Sequence, residues 1–263
     1  MTIRQNPRAT RSVAGKVYLV GAGPGAPDLL TLRAAETLRR ADVVFHDALV
    51  HPEVLALAAR AERVAVGKRC GRFATAQQFI NKRLVDAARK HAVVVRLKGG
   101  DPMLFGRAQE ELATLESAGI PCEVVPGVTS ALAAAAEAGI SLTQRGVARS
   151  VAFVTPRVGE GEAPSEWART VAAADTAVIY MGAGQAAQIT AALLVAGVRP
   201  EVPVLVAESV TLPQTRRIAL TLRELPRIAQ YGITGPTLIL LGGAFGTALS
   251  KGVDNTSLYH ATA

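Results

Sequence analysis

The sequence predicts an α/β fold in two domains, and three observations carry that prediction. Strand-like apolar runs alternate with helix-patterned segments through the first half of the chain. Two of those runs end in glycine loops, "GAGPGAP" after residue 20 and "KGGDP" after residue 97. Beyond Pro126 the texture changes to a small-residue helix followed by five strand-like runs. The boundary is expected between residues 126 and 145. It divides an N-terminal domain (16–130) with a largely parallel sheet from a C-terminal domain (131–250) with a mixed one. A disordered basic tail (1–15) and a second tail (251–263) are expected to flank them.

Each element follows from its local pattern. "KVYLV" (16–20) is a strand that stops at Gly21. "TLRAAETLRRA" (31–41) has helical spacing and leads into the strand "DVVFHD" (42–47). "EVLALAARA" (53–61) is a helix before the strand "RVAVGK" (63–68). In "TAQQFINKRLVDAARK" (75–90), Phe79, Ile80, Leu84 and Ala87 form one stripe, with Thr75 as the N-cap. "AVVVRL" (92–97) is the next strand, and a helix over 102–118 is stopped by Gly119 before the strand "CEVVPG". "VTSALAAAAEAGI" (128–140) is a helix suited to close packing. "RSVAFVT", "TAVIYMG", "VPVLVAES", "QTRRIALTL" and "GPTLILLGG" are the five later strands, with "AAQITAALLVAGV" and "TLRELPRIAQYG" as helices among them. The third and fourth are separated only by "SVTLPQ", which predicts a hairpin.

Composition narrows the function classes. The chain has 263 residues, 49% of them hydrophobic and 19% charged, as a folded soluble protein requires. No apolar run reaches the roughly 18 residues of a membrane span. The polar, basic start lacks the apolar core of a secretory signal. Cys70 and Cys122 are too isolated for a disulfide framework or a zinc site, so a reducing cytoplasm is expected. The net charge is +8, spread along the chain without a basic block, which fits a polyanionic small molecule better than nucleic acid.

The first glycine loop matches the loose dinucleotide fingerprint, with Gly21, Gly23 and Ala26 in place and Asp47 further on. Pro24 and Pro27 count against that reading. A pyrophosphate is held by N–H groups at a helix start, and each proline removes one. The helix also begins late, near Asp28 or Thr31. The loop is stiff and poor in donors, and suits an uncharged or zwitterionic group. In the second loop, Asp101 and Pro102 read either as an N-cap and first helical residue or as a ligand carboxylate at a strand end. Arg107 and Glu110, three apart on the predicted helix, read as a surface ion pair or as site residues.

The ordered set "VGAGPGAPDLLTL", "FHDALV", "VGKRCG", "VVRLKGGDPMLFGR", "VVPGVTSALAAAAEAGISLTQRG" and "YMGAGQA" resembles the tetrapyrrole methyltransferases that use S-adenosylmethionine. Each motif is weak alone, but the set is specific and covers residues 16 to 245. Within the family it is most similar to the branch that methylates uroporphyrinogen III. The resemblance implies two α/β domains of the tetrapyrrole (class III) methyltransferase type with the cofactor between them. It implies cofactor contacts at Pro24, Gly99, Gly100, Asp101, Leu104, Thr129, Ser130, Met181, Val210, Pro236, Thr237 and Leu238. It also implies methylation at two ring carbons, C2 and C7, giving precorrin-2 via precorrin-1, with S-adenosylhomocysteine as by-product and no metal. Precorrin-2 would serve siroheme, cobalamin or heme d1 synthesis.

That chemistry needs a methyl donor aligned with a ring carbon, then removal of a ring proton. Asp47 resembles the family's proton acceptor and Lys68 its donor. Glu110 is a base or an orienting group. Arg107, too weak a base at a pKa above ~12, acts electrostatically. Arg107, Arg145 and Arg149 are the expected partners of the polycarboxylate substrate. The chain departs from the family pattern at His46, Gln144 and Val210, each expected to adjust substrate preference. A homodimer is implied, without a fused NAD-dependent domain. Rival readings are a relative with a later cobalamin, diphthamide or RNA substrate, an NAD-dependent oxidoreductase, and a sensor without turnover.

Overall fold

The computed structural model describes residues 15–67, 73–159, 161, 163 and 165–251. The two expected tails, apart from Gly15 and Lys251, lie outside the described residues, as do Lys68 and Cys70. The chain forms two compact units. Of the described residues, the first contains those up to Gly21 with those of Leu32–Lys98 and Pro102–Pro126. The second contains Ala22–Thr31, Gly99–Asp101 and the described residues from Gly127 onward.

The first unit runs β1 (Lys16–Gly21), α1 (Leu32–Arg39), β2 (Val43–His46), α2 (Pro52–Ala56), β3 (Glu62–Ala65), α3 (Phe73–Ala88), β4 (Val93–Lys98), α4 (Ala108–Ser117) and β5 (Cys122–Val125). Its five strands are all parallel, in the order β3-β2-β4-β1-β5. After Lys16 and Val93, β1 and β4 are buried along their length, as the central strands of a sheet covered on both faces must be. Val17, Leu19, Val43, Phe45 and Val94 pack with Ile80 and Leu84 of α3 and Leu115 of α4. From β1 the chain crosses to β2 on one side, and from β4 to β5 on the other. The carboxyl ends of β1 and β4 are therefore the point where an open α/β sheet binds ligands, and both lead straight into glycine loops.

Three local expectations change. The helix expected over 53–61 is the short α2, which ends at Ala56. The α3 helix starts at Phe73, so Thr75 lies inside it rather than at its cap. Phe79 leaves the apolar stripe and is 51% exposed, while Ile80, Leu84 and Ala87 are buried. Arg83 covers the Phe79 ring with its guanidinium 5.6 Å from the centroid, which explains how the phenyl is tolerated outside the core.

The second unit contains α5 (Ser130–Ala138), β6 (Val151–Val154), α6 (Trp167–Ala173), β7 (Thr176–Tyr180), α7 (Ala186–Val195), β8 (Pro203–Glu208), β9 (Arg216–Thr221), β10 (Thr237–Gly242) and α8 (Gly246–Lys251). Its sheet order is β6-β7-β10-β8-β9. Only β6 and β7 pair in parallel; β8 and β9 form the expected hairpin. Alternate residues feed two apolar layers. Ile179, Val204, Val206, Ile239 and Leu241 face one, with Ile189 and Leu193 of α7. Val178, Leu205, Leu238 and Leu240 face the other, with the alanines of α5. Leu222–Tyr231 forms a 3-10 helix around Pro226, opened by a capping box of Thr221 and Glu224.

Candidate active site

The two glycine loops are joined to each other. Gly23 N–H donates to Gly100 O at 3.2 Å and Gly100 N–H donates to Gly23 O at 2.7 Å, an antiparallel bridge just beyond the paired ends of β1 and β4. Both residues have left-handed backbones, with φ of 71° and 68°, which glycine adopts without penalty. Asp101 does not cap a helix. The following helix starts only at Ala108, and the Asp101 carboxylate instead accepts the Gly127 N–H at 2.9 Å. The loops thus gain a carboxylate facing the segment that carries Thr129 and Ser130. Thr129 Oγ1 in turn shares a 2.7 Å hydrogen bond with Tyr180 Oη.

Every expected cofactor residue except Leu104 falls in the second unit. Met181 follows β7, Val210 follows β8, and Thr237 and Leu238 open β10 directly after Pro236. Strain marks the same places. Among the described residues, the non-glycine residues with positive φ are Phe105, Arg107, Met181, Ser209 and Thr211, and each is an expected site residue or adjoins one. Such conformations cost roughly 1–3 kcal/mol each and persist where surrounding contacts impose them. Gly106, between two of them, fills its space: a Cβ there would run into the Pro102 carbonyl oxygen.

In the first unit, Arg107 and Glu110 form a two-pronged pair. Arg107 Nε donates to Glu110 Oε1 at 2.6 Å and Nη2 to Oε2 at 2.8 Å, with the side chains 42% and 49% exposed. Arg107 is the residue just before α4 rather than a member of the helix. Asp47 Oδ1 accepts from Arg96 Nη2 at 2.5 Å. In the second unit, Arg145 and Arg149 are exposed beside a tight turn closed by reciprocal 2.8 Å bonds between Gln144 and Ala148.

A family model for the tetrapyrrole (corrin/porphyrin) methylases matches residues 16–226. The chain belongs to this family. Among curated relatives, the siroheme synthase of Chromobacterium violaceum is 49% identical over 231 residues, covering 87% of this chain and 49% of that protein. The siroheme synthase of Azotobacter vinelandii is 47% identical over 236 residues, covering 89% of this chain and 51% of that protein. This chain therefore spans about half the length of the curated relatives it matches. The crystal structure of uroporphyrin-III C-methyl transferase from Thermus thermophilus complexed with S-adenyl homocysteine superposes with a TM-score of 0.77. It is 44% identical, over 88% of this chain and 98% of that one. A cobalamin biosynthetic enzyme, cobalt precorrin-4 methyltransferase, has the same TM-score at 28% identity, over 88% of this chain and 95% of that one.

As a tetrapyrrole methylase, the chain also carries a charged cluster that the motif reading missed. The Glu111 carboxylate, fully buried, accepts from Arg96 Nε at 3.0 Å, from Lys98 Nζ at 3.0 and 3.1 Å, and from Gln77 Nε2 at 3.1 Å. The Arg96 and Lys98 side chains are only 3% and 5% exposed. Buried ions persist when paired and hydrogen-bonded, as these are. Burial disfavours the charge on Arg96, but the adjoining Asp47 and Glu111 carboxylates outweigh it and raise its pKa. Lys98 is pulled below its usual value, first by burial and then by the charge of Arg96. The cluster holds Asp47 at the end of β2. Its sequence signal is an arginine and a lysine ending an apolar strand, "VVVRLK", opposite a paired "EE".

The Cys122 thiol is half-buried, and burial pushes its pKa up to about 11, so it offers no thiolate near neutrality. Among the described residues there is no cluster of metal-binding side chains, and no helix is long and apolar enough to cross a membrane.

Proposed function

We propose that this chain is an S-adenosylmethionine-dependent methyltransferase acting on uroporphyrinogen III at two ring carbons, C2 and C7. The products are precorrin-1 and then precorrin-2. The observation that carries this reading is the pair of bridged glycine loops bearing Pro24 and Asp101, in a chain 44% identical to a structure holding S-adenyl homocysteine. The residues fit such a cofactor. The expected contacts of the second unit supply backbone groups, three hydroxyls and one carboxylate, and no lysine or arginine. A carboxylate attracts an ammonium or sulfonium and repels a diphosphate, which sets aside the dinucleotide reading.

When bound, S-adenosylmethionine supplies an electrophilic methyl group and leaves as S-adenosylhomocysteine. The protein's own work is alignment and charge control. The Arg107 fork, turned on Glu110 here, presents the bidentate geometry that a substrate carboxylate needs. Arg145 and Arg149 offer two further guanidiniums to a polycarboxylate. Asp47, oriented by Arg96, accepts the ring proton after the new carbon–carbon bond forms, and Glu110 orients Arg107. Lys68 is assigned as donor on resemblance alone.

The fold alone does not separate this substrate from a later corrinoid, since both solved structures score alike; the higher identity favours uroporphyrinogen III. The similarity to siroheme synthases favours siroheme as the destination of the product, with cobalamin and heme d1 as other outlets. A homodimer and a cytoplasmic location complete the reading. The dimer is supported by the exposed Leu132 and Phe153 beside an apolar hollow of about 430 Å³. The test is incubation with uroporphyrinogen III and isotopically labelled donor under reducing conditions. Two added methyl groups are expected by mass. No transfer to uroporphyrinogen III, with transfer to a later corrinoid precursor, would replace the substrate assignment.

A further inference from the structure

We propose that Glu137 is a positioning residue for the cofactor site, holding the turn that presents Val210 and, through Thr211, the loop that carries Pro24. This inference rests on reading those loops as the S-adenosylmethionine site.

Glu137 lies in the last turn of α5. Its Oε1 accepts the Thr211 N–H at 3.0 Å and its Oε2 accepts from Thr215 Oγ1 at 3.3 Å. Its own carbonyl accepts from Arg217 Nη1, so the residue is held from both ends. The turn it grips is strained. Ser209 and Thr211 have φ of 51° and 67°, and a β-branched residue seldom adopts that region. The Ser209 N–H is anchored on Pro236 O at 2.8 Å, and the Thr211 N–H is anchored on Glu137. Val210 sits between the two anchors and is buried.

The contact continues into the first glycine loop. Thr211 Oγ1 accepts the Ala26 N–H at 3.0 Å. A Cβ on Gly25 would lie 2.9 Å from Leu212 Cδ2, so the two loops already touch without spare room. The relay from Glu137 through Thr211 to Ala26 therefore fixes two cofactor-facing segments against one helix. Helix stability does not account for the choice of residue. A negative charge in the last turn opposes the helix dipole, and a neutral or basic side chain would serve α5 better.

The test compares Glu137→Ala, Thr211→Val and Thr211→Ser in the full chain. Calorimetric S-adenosylhomocysteine affinity, melting temperature without ligand, and the KM and kcat for S-adenosylmethionine are measured. Glu137→Ala and Thr211→Val are expected to raise Kd and KM about tenfold, with kcat and melting temperature nearly unchanged. Thr211→Ser keeps the acceptor oxygen and is expected to stay within about twofold of wild type. Wild-type affinity in both disruptive variants overturns the inference, as does equal loss in the serine and valine variants. Should Glu137→Ala fail to fold, the Thr211 pair decides the question. If the wild type itself binds no S-adenosylhomocysteine, the cofactor reading falls and takes this inference with it.

Discussion

Glu110 and Glu111 are adjacent on α4 and live in opposite environments. Glu110 is half-exposed and grips Arg107 with both oxygens. Glu111 is fully buried and pairs with both Arg96 and Lys98, with Asp47 as the second carboxylate of the cluster. Both are acid–base pairs by sequence, but their energetics differ. Water screens the outer pair, so it contributes little to stability and can be exchanged for a substrate carboxylate. The inner cluster has no alternative partner: removing one member leaves an uncompensated charge in the interior. Under the proposed function, the difference separates a charge available to substrate from charges kept for placement.

The strongest way to break that contrast is Glu111→Ala. It strands the buried Lys98 and leaves Arg96 with Asp47 alone, and is expected to cost about 3–5 kcal/mol of unfolding free energy by denaturant titration. Glu110→Ala is expected to cost less than about 1 kcal/mol in the same measurement. Equal losses would erase the distinction.

Next in size is Arg107→Ala, which should lower turnover about 100-fold or more while leaving the melting temperature and S-adenosylhomocysteine affinity nearly intact. Arg107→Lys should recover little, because an ammonium cannot reproduce the fork. Wild-type rates in Arg107→Ala would remove this residue from the mechanism.

Asp101 is intermediate in both burial and expected effect. Asp101→Ala removes the acceptor of the Gly127 N–H and should weaken S-adenosylhomocysteine binding about tenfold by calorimetry. An unchanged Kd would contradict the loop's assignment.

The smallest effect belongs to the exposed Asp175. Its carboxylate accepts the N–H groups of Arg149 and Ser150, at 2.9 and 3.0 Å, and the Ser150 hydroxyl, and these hold its pKa below the usual value. A depressed folded-state pKa contributes stability that is present above the unfolded value, about 4, and is lost as pH falls through the folded one. Asp175→Asn should therefore be less stable at neutral pH, with the gap narrowing as pH falls below about 4 and closing once the depressed folded-state value is passed. A gap independent of pH would show that the charge is immaterial.

Much of this was legible beforehand because it depends on short-range pattern. The five later strands, the hairpin through 209–214 and the late helix after the first glycine loop all follow from local periodicity and turn chemistry. Where local pattern leaves a choice, long-range contacts make it. Asp101–Pro102 reads from its neighbours either as a cap or as a ligand carboxylate. The fold extends the irregular segment to Arg107, with two left-handed residues on the way, and sends the carboxylate to Gly127 instead. Phe79 fits the apolar spacing of α3, yet cation stacking from Arg83 lets it lie outside.

By itself the sequence determined the class of fold, the strands that end in glycine, and the family, since periodicity, proline placement and ordered motifs are properties of neighbouring residues. The tertiary structure decided which charges are buried together, that Gly23 and Gly100 clasp each other, and that Glu137 reaches Thr211. These pairings join residues from about 15 to nearly 80 positions apart. No local pattern encodes them. They exist only once the packing of strands and helices has excluded water and brought their partners within hydrogen-bonding distance.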